Sequence, residues 1–226
     1  MEVYAVKLSE GVSRDELERV CANLPEERQN KIRAYTRFED SLRSAAAGLL
    51  LQRLAAERIQ VPSGRPTWSR DQHGKPFLPG ADGFHFNLSH SGEWVAAVID
   101  RTPVGIDIER VRPIDLKLAR DSFTASEYRE LVLSPAAERE SYFFQFWTLK
   151  ESYLKLLGTG LSRTLDSFTV AIEPGGSASL DDPQGHERAY FKRYDVDPRY
   201  RLSVCARHGG FPAAVSLLDW DSLTRD

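Results

Sequence analysis

The chain of 226 residues suits one large domain or two small, closely joined ones, and its 41% hydrophobic residues are enough to fill a core. A formal net charge of −3 gives no general attraction to nucleic acid or to a membrane surface, so neither is expected as a partner. Two cysteines are too few for a disulfide framework, and no signal peptide or membrane-spanning stretch is visible. These features predict a cytoplasmic protein.

The first half of the sequence mixes strand and helix patterns without a regular βαβ repeat. Ser13 and Glu16 form a capping box for a first helix, and Pro25 opens a second. Leucines and alanines at helical spacing predict a long helix over 39–59, which Pro62 ends. Strands are predicted at 3–8, 68–71, 76–78, 84–89 and 93–100.

The second half begins after a turn at Pro103. The order of elements predicts an α+β fold with mostly antiparallel sheet, divided near Pro103 into two halves, 1–103 and 104–226. Helices are predicted at 115–122, after a capping box of Thr124 and Glu127, and at 135–157. Strands are predicted at 104–110, 168–172, 188–194, 200–206 and 213–218.

Two carboxylates share one face of the strand at 104–110. Asp107 and Glu109 are two residues apart, so both point away from Ile106 and Ile108, with their Cα atoms roughly 6.6–7 Å apart. An exposed strand face would carry the two acids at little energetic cost. A function for them therefore requires a third acid and nearby cations.

The long helix near the middle of the second half offers that third acid. Trp147, Glu151 and Lys155 are four residues apart and share one helical face. A surface Glu–Lys pair, worth about 0.3–0.5 kcal/mol, explains two of them, but the tryptophan indicates a partly buried site. If Glu151 meets Asp107 and Glu109, carboxylates ~5 Å apart would repel by about 3 kcal/mol per pair at an effective dielectric of ~20. Such a cluster needs a cation, and oxygen ligands suit Mg²⁺ with substrate phosphates.

Several weaker signals indicate an anion site. Lys75 lies in a Gly-Lys-Pro turn, His90 ends a strand, and Arg28 and Lys31 are three apart on one helix. Each has an ordinary alternative: a plain turn, a capping or turn histidine, and a solvated basic face. Beside the acids, the set fits a polyphosphate ligand better. A Ser89–His90 hydrolase pair is disfavoured because the sequence has no G-x-S-x-G motif.

Taken in order, four motifs resemble those of the Sfp-type (surfactin-type) 4′-phosphopantetheinyl transferases. They are Gly74-Lys75-Pro76, Phe86-Asn87-Leu88-Ser89-His90-Ser91, Gly105-Ile106-Asp107-Ile108-Glu109 and Phe146-Trp147-Thr148-Leu149-Lys150-Glu151-Ser152-Tyr153-Leu154-Lys155. The resemblance runs over almost the whole chain, with Arg28 where close relatives can have lysine. It implies two similar α+β halves related by a pseudo-twofold axis, with coenzyme A in the cleft between them.

The resemblance also implies the reaction. The 4′-phosphopantetheine group of coenzyme A would pass to a serine of an apo acyl or peptidyl carrier protein, with release of 3′,5′-ADP. Asp107, Glu109 and Glu151 would hold Mg²⁺ and take part in catalysis, with Glu151 as the base, directly or through a metal-bound water, and Lys155 at the departing ADP oxygen. Lys150 is expected to help hold the phosphates. The residues implied to contact coenzyme A are Arg28, Lys31, Ser44, Lys75, Ser89, His90, Asp107, Glu109, Glu151 and Lys155.

A carrier protein must also dock, and carriers of this kind usually present an acidic helix. The segment after the acidic strand mixes basic and apolar residues, and it predicts a docking surface that includes Arg112, Leu116, Lys117, Arg120 and Phe123. The alternative for Leu116 and Phe123 is a place in the core.

The chain is long enough for both halves of the fold, which favours a monomer.

Two other functions remain open at this point. A Mg²⁺-dependent phosphohydrolase or nuclease would use two strand acids, but it would need an acid-x-lysine pair where this chain has Glu109 followed by Arg110 and Val111. A non-catalytic coenzyme A-binding module is the second, and it would not need a base such as Glu151.

Overall fold

The computed structural model describes residues 1–59, 68–72, 74–173, 176–184 and 188–224. The first half contains β1 (Glu2–Lys7), α1 (Arg14–Cys21), α2 (Glu26–Arg33), α3 (Phe38–Arg58), β2 (Ser69–Arg70), β3 (Pro76–Phe77), β4 (His85–Ser91) and β5 (Trp94–Asp100). The second half contains β6 (Val104–Arg110), α4 (Leu116–Ser122), α5 (Ala125–Leu133), α6 (Arg139–Leu157), β7 (Thr169–Ile172), β8 (Ala178–Asp181), β9 (Tyr190–Tyr194), β10 (Tyr200–Ala206), β11 (Ser216–Asp219) and α7 (Trp220–Thr224). The expected helix stop at Pro62 lies outside the described residues.

Two sheets form the centre of the molecule. The first has the strand order β11-β1-β5-β4 and the second the order β6-β10-β9, and every pairing in them is antiparallel except β1 with β11. Alternate side chains of the first sheet pack against α3 on one face and against the second sheet on the other. The α+β class with mostly antiparallel sheet is confirmed.

The second sheet repeats the plan of the first, since the long helix α6 packs on β6 and β10 as α3 packs on the first sheet. The helix starts were readable from their caps. The Thr124 side chain accepts from the Glu127 amide, and the Glu127 carboxylate accepts from the Thr124 amide, which completes a capping box. Ser13 caps α1 with only the first of these two bonds, since its hydroxyl oxygen accepts from the Glu16 amide at 3.1 Å.

The C-terminal segment does not stay with the second half. β11 pairs in parallel with β1, and Trp220 of α7 is fully buried in the core beneath α3. The Trp220 indole nitrogen donates to Glu16 Oε1 at 2.7 Å. A division into 1–103 and 104–226 is therefore wrong for the last strand and helix, because residues 216–224 complete the first sheet and its core.

Among the residues that the structure describes, no helix is both long and apolar enough to cross a bilayer.

Candidate active site

Strand β6 carries the two acids, as the alternation predicted. Ile106 and Ile108 are fully buried between the two sheets, while Asp107 and Glu109 point the other way, toward α6. The alternative of an exposed surface acid does not hold for Asp107, which is only 4% exposed, because α6 covers this face of the strand. Glu109, nearer the strand end, keeps 22% of its side chain exposed.

Gly105 allows α6 to lie directly against β6. A Cβ atom at this position would come within 2.0 Å of the Ser152 carbonyl oxygen and 2.5 Å of the Leu156 amide nitrogen. Real Cβ contacts are never this short, so a side chain here would push the helix away. The glycine therefore sets the distance between the strand acids and the helix residues that face them.

The helix α6 brings the third acid and a lysine to the same place. Lys155 Nζ donates to Asp107 Oδ1 at 2.6 Å and to Ser89 Oγ at 3.1 Å. Burial, together with the charges of Asp107 and Glu109, raises the pKa of Glu151, and Lys155 opposes that rise. The expected partly buried stripe of Trp147, Glu151 and Lys155 is confirmed.

A cavity of about 370 Å³ collects most of the predicted site. It is lined by Leu88, Ser89, His90, Asp107, Glu109, Trp147, Glu151 and Lys155. Residues from β4, β6 and α6 thus meet in one cleft, although they lie far apart in the sequence.

A ladder of side chains joins β4 to β6 at this cleft, and the sequence reasoning missed it. Asn87 Oδ1 accepts from the Ile106 amide at 3.0 Å, and the Oγ atoms of two serines accept from the next two outward amides of β6, those of Ile108 at 3.3 Å and Arg110 at 3.1 Å. Those serines also donate to the acids: Ser89 to Asp107 Oδ1 and Ser91 to Glu109 Oε2, each at 2.7 Å. The signal was polar residues at every second position of a strand, which all fall on one face.

A second cavity, of about 510 Å³, adjoins the first at Leu88, which lines both. Arg28 and Lys31 of α2 line this second cavity. Burial lowers the pKa of Arg28. A Cβ atom on Gly48 would lie 3.2 Å from Arg28 Nε, so the glycine leaves room for the guanidinium beside α3.

The other predicted contact residues take different positions. Lys75 Nζ donates to the Lys155 carbonyl oxygen at 2.9 Å, and burial lowers the pKa of Lys75. Ser44 is 2% exposed on α3, and its hydroxyl has no hydrogen-bond partner within the described part of the chain. Desolvation by the surrounding protein, and then the charge of Arg43, lower the pKa of His90, although its side chain is exposed to solvent.

Two family models match consecutive parts of the chain. Residues 12–101 match the model described as "4'-phosphopantetheinyl transferase, N-terminal", and residues 103–205 match "4'-phosphopantetheinyl transferase superfamily". The 4'-phosphopantetheinyl transferase Sfp of Bacillus subtilis is 35% identical over 99% of this chain and 100% of its own length. The chain belongs to the 4′-phosphopantetheinyl transferase superfamily. The resemblance seen in the sequence motifs is confirmed.

Similar proteins also occur outside the bacilli. A phosphopantetheinyl transferase of Thraustochytrium is 30% identical, with 92% of this chain and 79% of the relative covered. Among solved structures, a holo-(acyl-carrier-protein) synthase of Bacillus anthracis in complex with coenzyme A is 16% identical with a TM-score of 0.40, covering 46% of this chain and 93% of that one.

Lys150 does not face the cleft between β4, β6 and α6, contrary to expectation. Its ammonium is fully buried and donates to Glu127 Oε1 at 2.5 Å and to the Phe168 carbonyl oxygen at 2.6 Å. Glu127 Oε1 also accepts from the Val170 amide at 2.7 Å. The reason is helical geometry: residue 150 points about 100° away from residue 151, into the core behind the site.

The predicted docking segment divides between surface and core. Arg112, Lys117 and Arg120 are exposed, whereas Phe123 is 3% exposed and packs against Phe143 with ring centroids 5.1 Å apart. Leu116 is half-buried against the same cluster. Phe123 therefore belongs to the core and is not part of the docking surface.

The cleft between β4, β6 and α6 offers carboxylate oxygens as possible ligands for a metal ion. Within the described residues, no three acidic, histidine or cysteine side chains converge closely enough to hold a metal as they stand. Asp107 Oδ1 is engaged by Lys155, and Glu109 Oε2 by Arg112 at 3.3 Å. Asp107 Oδ2, however, is buried without a partner in this part of the chain, and a buried carboxylate oxygen of that kind is a donor that suits a hard cation. The three acids supply the kind of oxygen ligand that suits Mg²⁺, and to hold the ion together they would have to move closer and Lys155 would have to leave Asp107 Oδ1.

Proposed function

We propose that the cleft between β4, β6 and α6 binds coenzyme A and transfers its 4′-phosphopantetheine group to a serine of an apo acyl or peptidyl carrier protein, releasing 3′,5′-ADP. One observation carries this proposal: a cavity with three carboxylates and Lys155 adjoins, at Leu88, a second cavity that Arg28 and Lys31 line. Acids for a metal at one end and cations for phosphates at the other suit a ligand with a diphosphate and a further phosphate.

Asp107, Glu109 and Glu151 are the proposed ligands of a Mg²⁺ ion in this cleft. When bound, Mg²⁺ would neutralise charge on the diphosphate and orient it. The charges of Asp107 and Glu109 contribute to the raised pKa of Glu151, so the three carboxylates are close enough to interact. That mutual repulsion favours binding of a cation.

Glu151 is the proposed base for the carrier serine. Its raised pKa, caused first by burial, makes its carboxylate a stronger proton acceptor than an ordinary glutamate. The serine proton would pass to a Glu151 carboxylate oxygen while the serine oxygen attacks the β-phosphorus. The bond from that phosphorus to the bridging oxygen of ADP breaks in the same displacement.

The cations of the site would bind the phosphates and the leaving group. Lys155 is one helical turn from Glu151 and projects into the same cavity, so it is the proposed donor to the departing ADP oxygen. Lys75 contacts the Lys155 main chain and would add charge there. Arg28 and Lys31 are the proposed contacts for the rest of the nucleotide phosphates, together with the Ser44 hydroxyl, which has no partner in the part of the chain that the structure describes. Ser89 and His90 line the cavity that holds the acids and are proposed to contact the phosphates there.

The carrier is proposed to dock on the exposed basic side chains of the segment that follows β6. Arg112, Lys117 and Arg120 are exposed there, and Leu116 is half-buried beside them. An acidic carrier helix would gain charge complementarity along this surface.

We also propose that the enzyme works as a cytoplasmic monomer, which light scattering and cell fractionation would check.

The direct test is incubation of the protein with coenzyme A, Mg²⁺ and a panel of fatty-acid, polyketide and nonribosomal-peptide apo-carriers. Intact-mass spectrometry should show one phosphopantetheinyl group added to at least one carrier, and EDTA should stop the addition. No addition to any carrier, together with hydrolysis of simple phosphodiesters, would overturn the proposal in favour of a phosphohydrolase.

A further inference from the structure

The two serines of the β4–β6 ladder treat the two acids in the same way. Ser89 donates to Oδ1 of Asp107, and Ser91 donates to Oε2 of Glu109, at the same distance of 2.7 Å. Each serine also accepts a hydrogen bond from the β6 amide that follows its acid. The unit of one serine, one acid and one amide is therefore repeated two residues further along both strands.

This repeat leaves one oxygen of each acid available. Asp107 Oδ2 is buried and unpartnered among the described residues. For Glu109, both Ser91 and Arg112 donate to Oε2, and no contact within the described part of the chain occupies Oε1. The hydroxyl groups thus fix which oxygen of each carboxylate is left without a donor among the described residues.

We propose that Ser91 is a positioning residue that orients Glu109 for the cation, as Ser89 does for Asp107. The inference rests on the proposed Mg²⁺ site and adds a residue to which the predicted site gave no role. Ser91 does not touch the reacting atoms itself. It acts because a carboxylate that already has one oxygen tied by a fixed donor loses less freedom when its other oxygen binds a cation.

A purely structural role for Ser91 must be separated from this one. The bond from the Arg110 amide to Ser91 Oγ also holds β6 in register beside β4, and Asn87 does the same for the Ile106 amide without contacting an acid. Asn87 is therefore a control built into the same ladder. Its loss removes a register bond and leaves both carboxylates with their serine donors.

The experiment is a titration of Mn²⁺, as a paramagnetic probe for the cation, into the protein saturated with coenzyme A in the absence of carrier. Free Mn²⁺ is followed by electron paramagnetic resonance. Ser91→Ala should weaken Mn²⁺ binding about 10- to 100-fold, whereas Ser91→Thr, which keeps the hydroxyl, and Asn87→Ala should stay within about 3-fold of the wild type. Thermal unfolding of each variant checks the fold, and Ser91→Cys, with a weaker donor, replaces Ser91→Ala if that variant does not fold.

The outcomes separate this inference from the proposed function. Equal Mn²⁺ affinity in wild type and Ser91→Ala overturns the role of Ser91 and leaves the transferase reaction standing. Equal weakening by Asn87→Ala and Ser91→Ala also overturns it, because register alone would then explain the effect. A wild-type protein that binds no Mn²⁺ with coenzyme A present overturns the metal site as well.

Discussion

Lys155 Nζ lies 2.6 Å from Asp107 Oδ1, so an ion pair joins α6 to β6 across 48 positions of sequence. Asp107 is 5% exposed in its side chain and Lys155 27%, which places the pair at the wall of the cleft rather than in the core. Its geometry depends on how closely the helix can approach the strand. That approach is possible because residue 105 has no side chain.

The first prediction concerns this approach. Gly105→Ala should displace α6 from β6 and separate Glu151 and Lys155 from the strand acids, since its Cβ atom would lie 2.0 Å from the Ser152 carbonyl oxygen. Overpacking of this kind lowers the free energy of unfolding by about 1–3 kcal/mol. We expect kcat to fall by more than this loss of stability alone would explain, because the side chains of the site are displaced. Urea unfolding and steady-state transfer rates measure the two effects. Gly209→Ala, where a Cβ atom would meet nothing within 4 Å, is the matched control, and equal behaviour of the two variants would contradict the account.

A second prediction separates the two lysines of α6. Lys150→Met would leave Glu127 charged and buried without its ammonium partner, and removal of one partner of such a pair costs about 3–5 kcal/mol. Lys155→Met should cost much less stability but reduce kcat strongly, because Lys155 faces the cavity. Chemical denaturation and kinetics distinguish them. A Lys150→Met protein that is as stable as wild type but has a raised KM for coenzyme A would restore Lys150 to the phosphate site.

The docking surface gives a third prediction. Lys117→Glu with Arg120→Glu should raise KM for the carrier and leave KM for coenzyme A unchanged, because both residues are exposed on α4 and lie outside the residues that line the two cavities. Lys7→Glu with Arg19→Glu makes the same change in net charge on exposed residues of the first half. If both double variants raise the carrier KM equally, a general charge effect and not a docking surface is responsible.

The fourth prediction is that the ionisation of Asp182, which accepts a hydrogen bond from Tyr153 of α6, makes the stability of the protein depend on pH. Burial alone would raise the pKa of Asp182, but hydrogen bonds from Arg163 and Tyr153 outweigh it and hold that pKa well below its usual range. The stabilisation is therefore present above the unfolded pKa of about 3.9 and is lost as pH falls below it. The difference in unfolding free energy between wild type and Asp182→Asn should be large at pH 6–7 and shrink below pH ~4. Asp195→Asn, at an exposed site, is the control, and a difference that is constant with pH would contradict this reasoning.

Periodicity and caps allowed much of the fold to be predicted. The strand at 200–206 and the stripe of Trp147, Glu151 and Lys155 depend on local patterns of two and 3.6 residues, and both are present as expected. The family motifs indicated which acids belong together, which local pattern alone could not decide.

The missed features depend on contacts between distant parts of the chain. Nothing local tells that β11 returns to pair with β1, or that Ser91 ties Glu109. Phe123 and Lys150 show the same limit, because burial of a side chain depends on which element covers it. For Lys150 the partner is Glu127, 23 positions earlier, whose local role as a helix cap was the only one visible in the sequence.

Glu151 in this cleft is proposed to drive transfer of phosphopantetheine from coenzyme A to a carrier serine. The most direct test of this role is the intact mass of an apo-carrier incubated with coenzyme A, Mg²⁺ and either wild type, Glu151→Gln or Glu140→Gln, the last being a matched change at the start of the same helix. The account predicts one added phosphopantetheinyl group with wild type and Glu140→Gln, and none with Glu151→Gln, whose thermal unfolding should show an intact fold. Modification of the carrier by Glu151→Gln at the wild-type rate would contradict it.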